Sequence, residues 1–202
     1  MSYERPILSR YLDPVELVWL ATARRLGLTV RRDPAIFSRT DGSGMLWLGP
    51  RDDLDADDTV AQMLLHEICH WVTNGVDTYR DEDWGFPLDD ADDPREFACL
   101  RVQAALADRH GLRGMFGPTG KYRAYFDRIP PDPFTALDDS PAEAEIVRIA
   151  RGVWPAVDAP PFAPHLDHAL ATTAAIRGLV QPFLPDYATE VDGDLLPSLW
   201  SR

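Results

Sequence analysis

Leu64-Leu65-His66-Glu67-Ile68-Cys69-His70-Trp71 is an H-E-x-x-H motif inside a run with helical periodicity, and its reading decides the rest of the chain. At 3.6 residues per turn, His66 and His70 stand one turn apart on one helix face, so both imidazoles can reach a single metal ion with Glu67 beside them. The flanking residues support a buried helix. Asp57 or Asp58 can cap its start, Val60, Met63, Leu64, Ile68 and Trp71 recur at spacings of three and four, and Gly75 stands where a left-handed residue would end it. The competing structural reading is a pair of surface histidines on an amphipathic helix.

The chain has 202 residues, 45% of them hydrophobic, which is enough to bury a sizeable core in one domain spanning 1–202. Met1-Ser2-Tyr3-Glu4-Arg5-Pro6 has no apolar targeting region, and no stretch approaches the roughly 20 apolar residues of a membrane span. A cytoplasmic protein is expected. Cys69 and Cys99 are too few for a disulfide framework and read as small buried hydrophobes. A net charge of −13 argues against nucleic acid, whose phosphates would be repelled. The acids cluster: Asp52, Asp53, Asp55, Asp57 and Asp58 precede the motif helix, and Asp81, Glu82, Asp83, Asp89, Asp90, Asp92 and Asp93 follow it. They read either as solvated loops or as a negative rim around a site.

In chain order, Asp13-Pro14-Val15-Glu16 opens a helix with Leu17, Val18, Leu20, Ala21 and Leu26 as its apolar side and Gly27 as its end. Leu28-Thr29-Val30, Ala35-Ile36-Phe37 and Met45-Leu46-Trp47-Leu48, with the turn Thr40-Asp41-Gly42-Ser43-Gly44, predict a small N-terminal sheet or hairpin. From Val76 to Asp92 a loop is expected, folded over the site by its aromatic residues. Asp93-Pro94-Arg95-Glu96 starts a second strong helix that runs to Gly111. Residues 113–202 form a helical extension: a short helix within Lys121–Arg128, one opened by Ser140-Pro141-Ala142-Glu143, and a last one from about Pro164 carrying His165 and His168. The tail reads as an irregular strap held by Phe183, Leu184, Leu196 and Trp200. The fold class is α+β, mainly helical, with the small sheet set on the metal-binding helices in a zincin-like way.

Glu96 is the natural third ligand, since a carboxylate at the start of a neighbouring helix would complete a two-histidine, one-carboxylate set with open positions. Glu at N3 after an Asp N-cap is also a capping box, which accounts for the residue without a metal. Spacing leaves both readings standing. Asp92, Asp93 and His110 are reserve candidates, and His165 with His168 could begin a second metal site.

The order His66-Glu67-Ile68-Cys69-His70-Trp71, Gly75, Asp83-x-Gly85 with aromatic neighbours, Glu96 and Gly111 resembles the elongation factor P hydroxylase family, over about residues 45–112. That resemblance implies metal ligands His66, His70 and Glu96, a hydroxylase acting on a modified lysine of a protein substrate, elongation factor P in that family, and a place for Asp83 beside the metal or at the substrate entrance. Phe86-Pro87-Leu88-Asp89 is poorer in aromatic residues than the family at that point, and the C-terminal third looks different.

The constellation serves two chemistries. With iron(II), the favoured metal, two imidazoles and a carboxylate leave positions for dioxygen and substrate, and Glu67 orients its neighbours. With zinc, Glu67 becomes the general base of a metallopeptidase, and a Tyr or His such as Tyr122, Tyr125, His165 or His168 would steady the oxyanion. A third class is a metal-stabilised binding protein without turnover.

Overall fold

The computed structural model describes residues 8–9, 11–50, 58–86 and 93–186. Of the expected features, Asp52, Asp53, Asp55, Asp57, Asp89, Asp90, Asp92, Leu196 and Trp200 lie outside these residues. The described residues are mainly helical with one three-stranded sheet.

Helix α1, Pro14–Arg25, starts as its sequence dictates: Asp13 Oδ1 accepts hydrogen bonds from the amides of Val15 (2.8 Å) and Glu16 (3.0 Å). Its rotation differs from the expected one. Val15, Trp19, Thr22, Ala23 and Leu26 face inward, whereas Leu17 and Leu20 are 45% and 36% exposed and Ala21 is exposed. Trp19 sets the rotation, because it is fully buried, lies 5.2 Å from the Phe116 ring and donates through Nε1 to Thr173 Oγ1 at 3.0 Å.

After Gly27, at φ +86°, come β1 (Thr29–Arg32), β2 (Ser38–Thr40) and β3 (Met45–Leu48), in sheet order β1-β3-β2. β1 runs parallel to β3 with Thr29 opposite Met45, and β2 runs antiparallel with Ser38 opposite Leu48. The strand expected at Ala35-Ile36-Phe37 forms three residues later. Asp33 Oδ1 accepts the Ala35 amide at 2.8 Å and fixes a turn there, so pairing begins only at Ser38. The β2 edge is occupied where the loop returns: Thr40 N donates to Asp83 Oδ1 (2.9 Å), and Asp41 forms an antiparallel bridge with Glu82.

Helix α2, Val60–Asn74, is the centre of the molecule. Thr59, rather than Asp57 or Asp58, caps it by accepting from Gln62 N, while Asp58 accepts from the Gln62 side chain at 2.6 Å. Leu64, Leu65, Ile68, Cys69 and Val72 are fully buried, and each large apolar side chain among them contributes about 1.5–3 kcal/mol. Gly75, at φ +101°, ends the helix.

The segment expected as plain loop holds a 3-10 turn, Val76–Arg80, and a tight turn of positive φ at Asp83–Gly85, and Trp84 stacks on Trp71 at 5.2 Å with a 6° interplanar angle. Helix α3, Pro94–Asp108, lies against α2. Further on, a 3-10 turn at Gly120–Tyr122 leads into one-turn α4 (Arg123–Phe126). α5 (Pro141–Val153) is capped by Ser140 and α6 (His165–Val180) packs on α1. Phe183 is 63% exposed, so it does not anchor a strap. No helix among the described residues is long and apolar enough to cross a membrane.

Candidate metal centre

α2 presents His66 and His70 toward the first turn of α3, where Glu96 stands. His70 Nε2 lies 3.1 Å from Glu96 Oε2, His66 Nε2 lies 3.5 Å from Glu96 Oε1, and the two rings are 4.4 Å apart. The three side chains are only 14%, 14% and 9% exposed. The capping-box alternative for Glu96 does not hold its carboxylate. Asp93 caps α3 through the Arg95 amide, and the Glu96 oxygens turn to the histidines.

The charges of this cluster are set by one another. Burial works against the Glu96 carboxylate, yet His70, by charge and hydrogen bond, and then His66 bring its pKa down to about 2. Burial likewise opposes a charged His70, but Glu96, by charge and hydrogen bond, together with the charges of Glu67 and Asp83 outweighs it and raises the His70 pKa. His66 is lowered, first by burial and then by the charge of His70. At neutral pH the cluster therefore holds an ionised Glu96 and a His66 with a free ring nitrogen.

Cys99 competes for the third position, since ligand atoms of His66, His70 and Cys99 all fall within 4.8 Å of one another. Glu96 is the better donor. It is ionised and touches both imidazoles, whereas burial and the neighbouring Cys69 push the Cys99 thiol well above its ordinary range, and its S–H points to the His66 carbonyl at 3.7 Å. The expectation that Cys69 and Cys99 are buried agrees with both being free and fully enclosed.

Glu67 is 6% exposed and accepts no hydrogen bond among the described residues, while its charge acts on His66, His70 and Asp83. Asp83 is near enough to feel that charge. Burial raises the Asp83 pKa, its Oδ1 holds the Thr40 amide, and its Oδ2 is buried without a partner among the described residues. Asp83, Trp84 and Gly85 all take left-handed backbone angles, φ 48°, 58° and 76°. For two residues with side chains this costs of order 1–3 kcal/mol each, and the Trp84–Trp71 stack helps to hold the turn. Phe86 then lies 4.4 Å from the His70 ring and carries the Arg95 guanidinium on its own face at 5.1 Å.

Other candidates are engaged elsewhere or apart. Asp93 is bound by Arg95, His110 Nε2 pairs with Asp167 at 2.8 Å, and Tyr125 belongs to a buried group around Arg101. His165 and His168 find no third donor among the described residues.

One residue escaped the sequence reading. Gln103, fully buried on α3, donates through Nε2 to the Phe116 carbonyl (2.6 Å) and turns Oε1 to His66 Nδ1 at 2.9 Å. Nδ1 must then carry the proton, which leaves the Nε2 lone pair directed at Glu96. Residues 96, 99 and 103 follow helical spacing on one stripe of α3, so the signal was present in the sequence. Gln103→Leu is expected to lower metal affinity about 10- to 100-fold with the fold intact, and Gln103→Glu to restore part of it. Competition against a chelator of known affinity reads this out, and unchanged affinity in Gln103→Leu refutes the role.

Compared with protein families, curated proteins and solved structures, the chain gives no match, so its residues and their geometry alone speak for its function.

Proposed function

We propose that the protein is a mononuclear metal enzyme that hydroxylates a side chain of a protein substrate, in the manner of the elongation factor P hydroxylases it resembles. The observation that carries this reading is the convergence of His66 Nε2 and His70 Nε2 on the Glu96 carboxylate, all three side chains being largely buried. Two imidazoles and one carboxylate suit a divalent ion and leave coordination positions open. Ferrous iron, the favoured ion, would supply dioxygen chemistry there. Around it, Gln103 holds the His66 tautomer, Phe86 shields His70 from water, and Glu67 and Asp83 give the approach a negative character suited to a cationic, lysine-derived side chain. The wider acidic rim gains less support, because Asp58 is bound to Gln62 and Asp93 to Arg95. A cytoplasmic site of action agrees with such a substrate and with two free cysteines.

A zinc peptidase is the second reading, and Glu67 is what favours it: a buried carboxylate with no hydrogen bond among the described residues, next to His66 in the chain and acting on both histidines by its charge, would be available as a general base for metal-bound water. Against it stands the β2 edge, whose Thr40 amide is already taken by Asp83 and which continues into the Asp41–Glu82 bridge, leaving less of that edge to hold an extended peptide. Metal analysis of protein purified without chelators under low oxygen, followed by assay of Glu67→Gln, separates the two. The proposal expects iron, dioxygen-dependent addition of one oxygen atom to a modified lysine, and Glu67→Gln activity within about tenfold of the parent. Peptide hydrolysis supported by zinc and lowered about 10²- to 10⁴-fold in Glu67→Gln overturns it in favour of the peptidase.

A further inference from the structure

Leu17, Leu20 and Ala21, part of the face of α1 that its sequence marks as buried, are left outside. Leu17, Leu20 and Arg24 are spaced i, i+3 and i+7 on one stripe, and Leu17 and Leu20 are substantially exposed. That stripe borders a groove of about 400 Å³ lined by Leu20, Arg24, Leu28, Thr29 and Val30. Its far wall is β1, an edge strand among the described residues.

The hydrogen-bond parity of β1 says what that edge offers. Thr29 N donates to Gly44 O (2.7 Å) and Asp33 N to Leu48 O (3.0 Å), so the odd-numbered residues turn their backbone groups to β3. Val30 and Arg32 therefore turn theirs away from the sheet, and among the described residues no backbone hydrogen bond meets them there. An open ladder beside an apolar stripe is a template for one more strand.

The charge around this edge selects the occupant. In a chain of net charge −13, Arg24, Arg25, Arg31 and Arg32 collect at the end of α1 and along β1, all exposed. Arg24, Arg25 and Arg31 form no ion pair among the described residues, and Arg32 donates to the Gly49 carbonyl. A second copy adding its own β1 would set these arginines against their equivalents, which opposes pairing. An acidic strand would be attracted to them.

We propose that the free edge of β1 and the groove against α1 dock an extended acidic segment of a partner protein by strand addition, its apolar residues on Leu17 and Leu20 and its carboxylates on Arg24 and Arg31. This surface is separate from the metal centre, whose neighbouring edge is that of β2, and it does not depend on what the centre does.

The test uses the full chain and a fluorescein-labelled peptide of alternating glutamate and valine, followed by fluorescence anisotropy. Saturable, salt-sensitive binding in the micromolar range is expected, weakened at least tenfold by Arg24→Glu with Arg31→Glu. Val30→Pro should weaken it as much, because it removes an outward N–H that the sheet does not use, a position edge strands tolerate. The same peptide N-methylated at every second residue needs no change in the protein, and it should fail to bind. Equal affinity for a lysine–valine peptide, binding indifferent to N-methylation, or no saturation overturns the proposal. So does sedimentation showing a dimer that Val30→Pro dissociates, which would assign the edge to a second copy.

Discussion

If the proposed centre holds a divalent ion, His66→Ala, His70→Ala and Glu96→Ala are each expected to lose it under conditions where the parent chain retains it. Structural zinc sites bind with roughly 10–16 kcal/mol shared among about four ligands, so one ligand accounts for about 3 kcal/mol, a fall in affinity of order 10²-fold or more. The three variants should fold, because the site lies at the rim of the core: the histidine and glutamate side chains keep 9–14% exposure, while Leu64, Leu65 and Ile68 beneath them are closed off. Cys99→Ser is the informative companion. With Glu96 as third ligand it is expected to retain the metal, since the carboxylate between the two imidazoles already fills the third position. Metal content by mass spectrometry together with circular dichroism reads all four variants. Full occupancy in Glu96→Ala with loss in Cys99→Ser would transfer the third position to Cys99, and full occupancy in His66→Ala would remove the centre altogether.

What could be read from the sequence and what could not divides along a physical line. Helix starts depend on neighbouring residues, so Asp13, Asp93 and Ser140 announce α1, α3 and α5 as caps, and the cap of α2 lies only one residue beyond Asp58, at Thr59. The rotation of α1 depends on a partner 154 residues away, Thr173, and apolar spacing cannot tell the Trp19 face from the Leu17–Leu20 face. The shifted β2 had a local cause in the Asp33 turn, yet Ile36 and Phe37 carried the stronger strand signal. At the centre, the spacing of His66 and His70 is covalent geometry and was legible. The meeting with Glu96 is a tertiary fact, and the left-handed Asp83 and Trp84 gave no sign, because neither is a glycine. Tyr125 shows the converse: a tyrosine available for oxyanion chemistry on paper is held inside another cluster.

That cluster carries the largest expected effect on stability. Arg101, fully buried on α3, pairs through Nη2 with Glu143 of α5, donates through Nε to the Tyr125 hydroxyl at 2.7 Å, and gives Nη1 to the carbonyls of Pro133 and Thr135. Glu143 also accepts the Leu137 amide at 3.1 Å. Glu143→Ala leaves a buried guanidinium uncompensated and is expected to cost about 3–5 kcal/mol, whereas Arg101→Met with Glu143→Leu removes both charges and recovers most of that loss. For a chain of this length the single variant should melt about 6–20 °C lower. The pH arm runs through Tyr125. Burial pushes its phenol up to about 12 against the pull of Arg101, with Glu143 adding to the rise. A folded pKa raised above the unfolded value of about 10 means that stability is whole below pH 10 and declines as pH climbs from 10 toward 12, because the unfolded chain loses its proton first. Tyr125→Phe should abolish that part of the alkaline decline, so the stability gap between parent and variant narrows across the window. Denaturant titrations from pH 8 to 12 measure it, and parallel curves would mean that the phenol titrates alike in both states. Because α3 also carries Glu96 and Gln103, loosening its far side in Glu143→Ala should weaken metal binding too, while Tyr125→Phe at neutral pH leaves it unchanged.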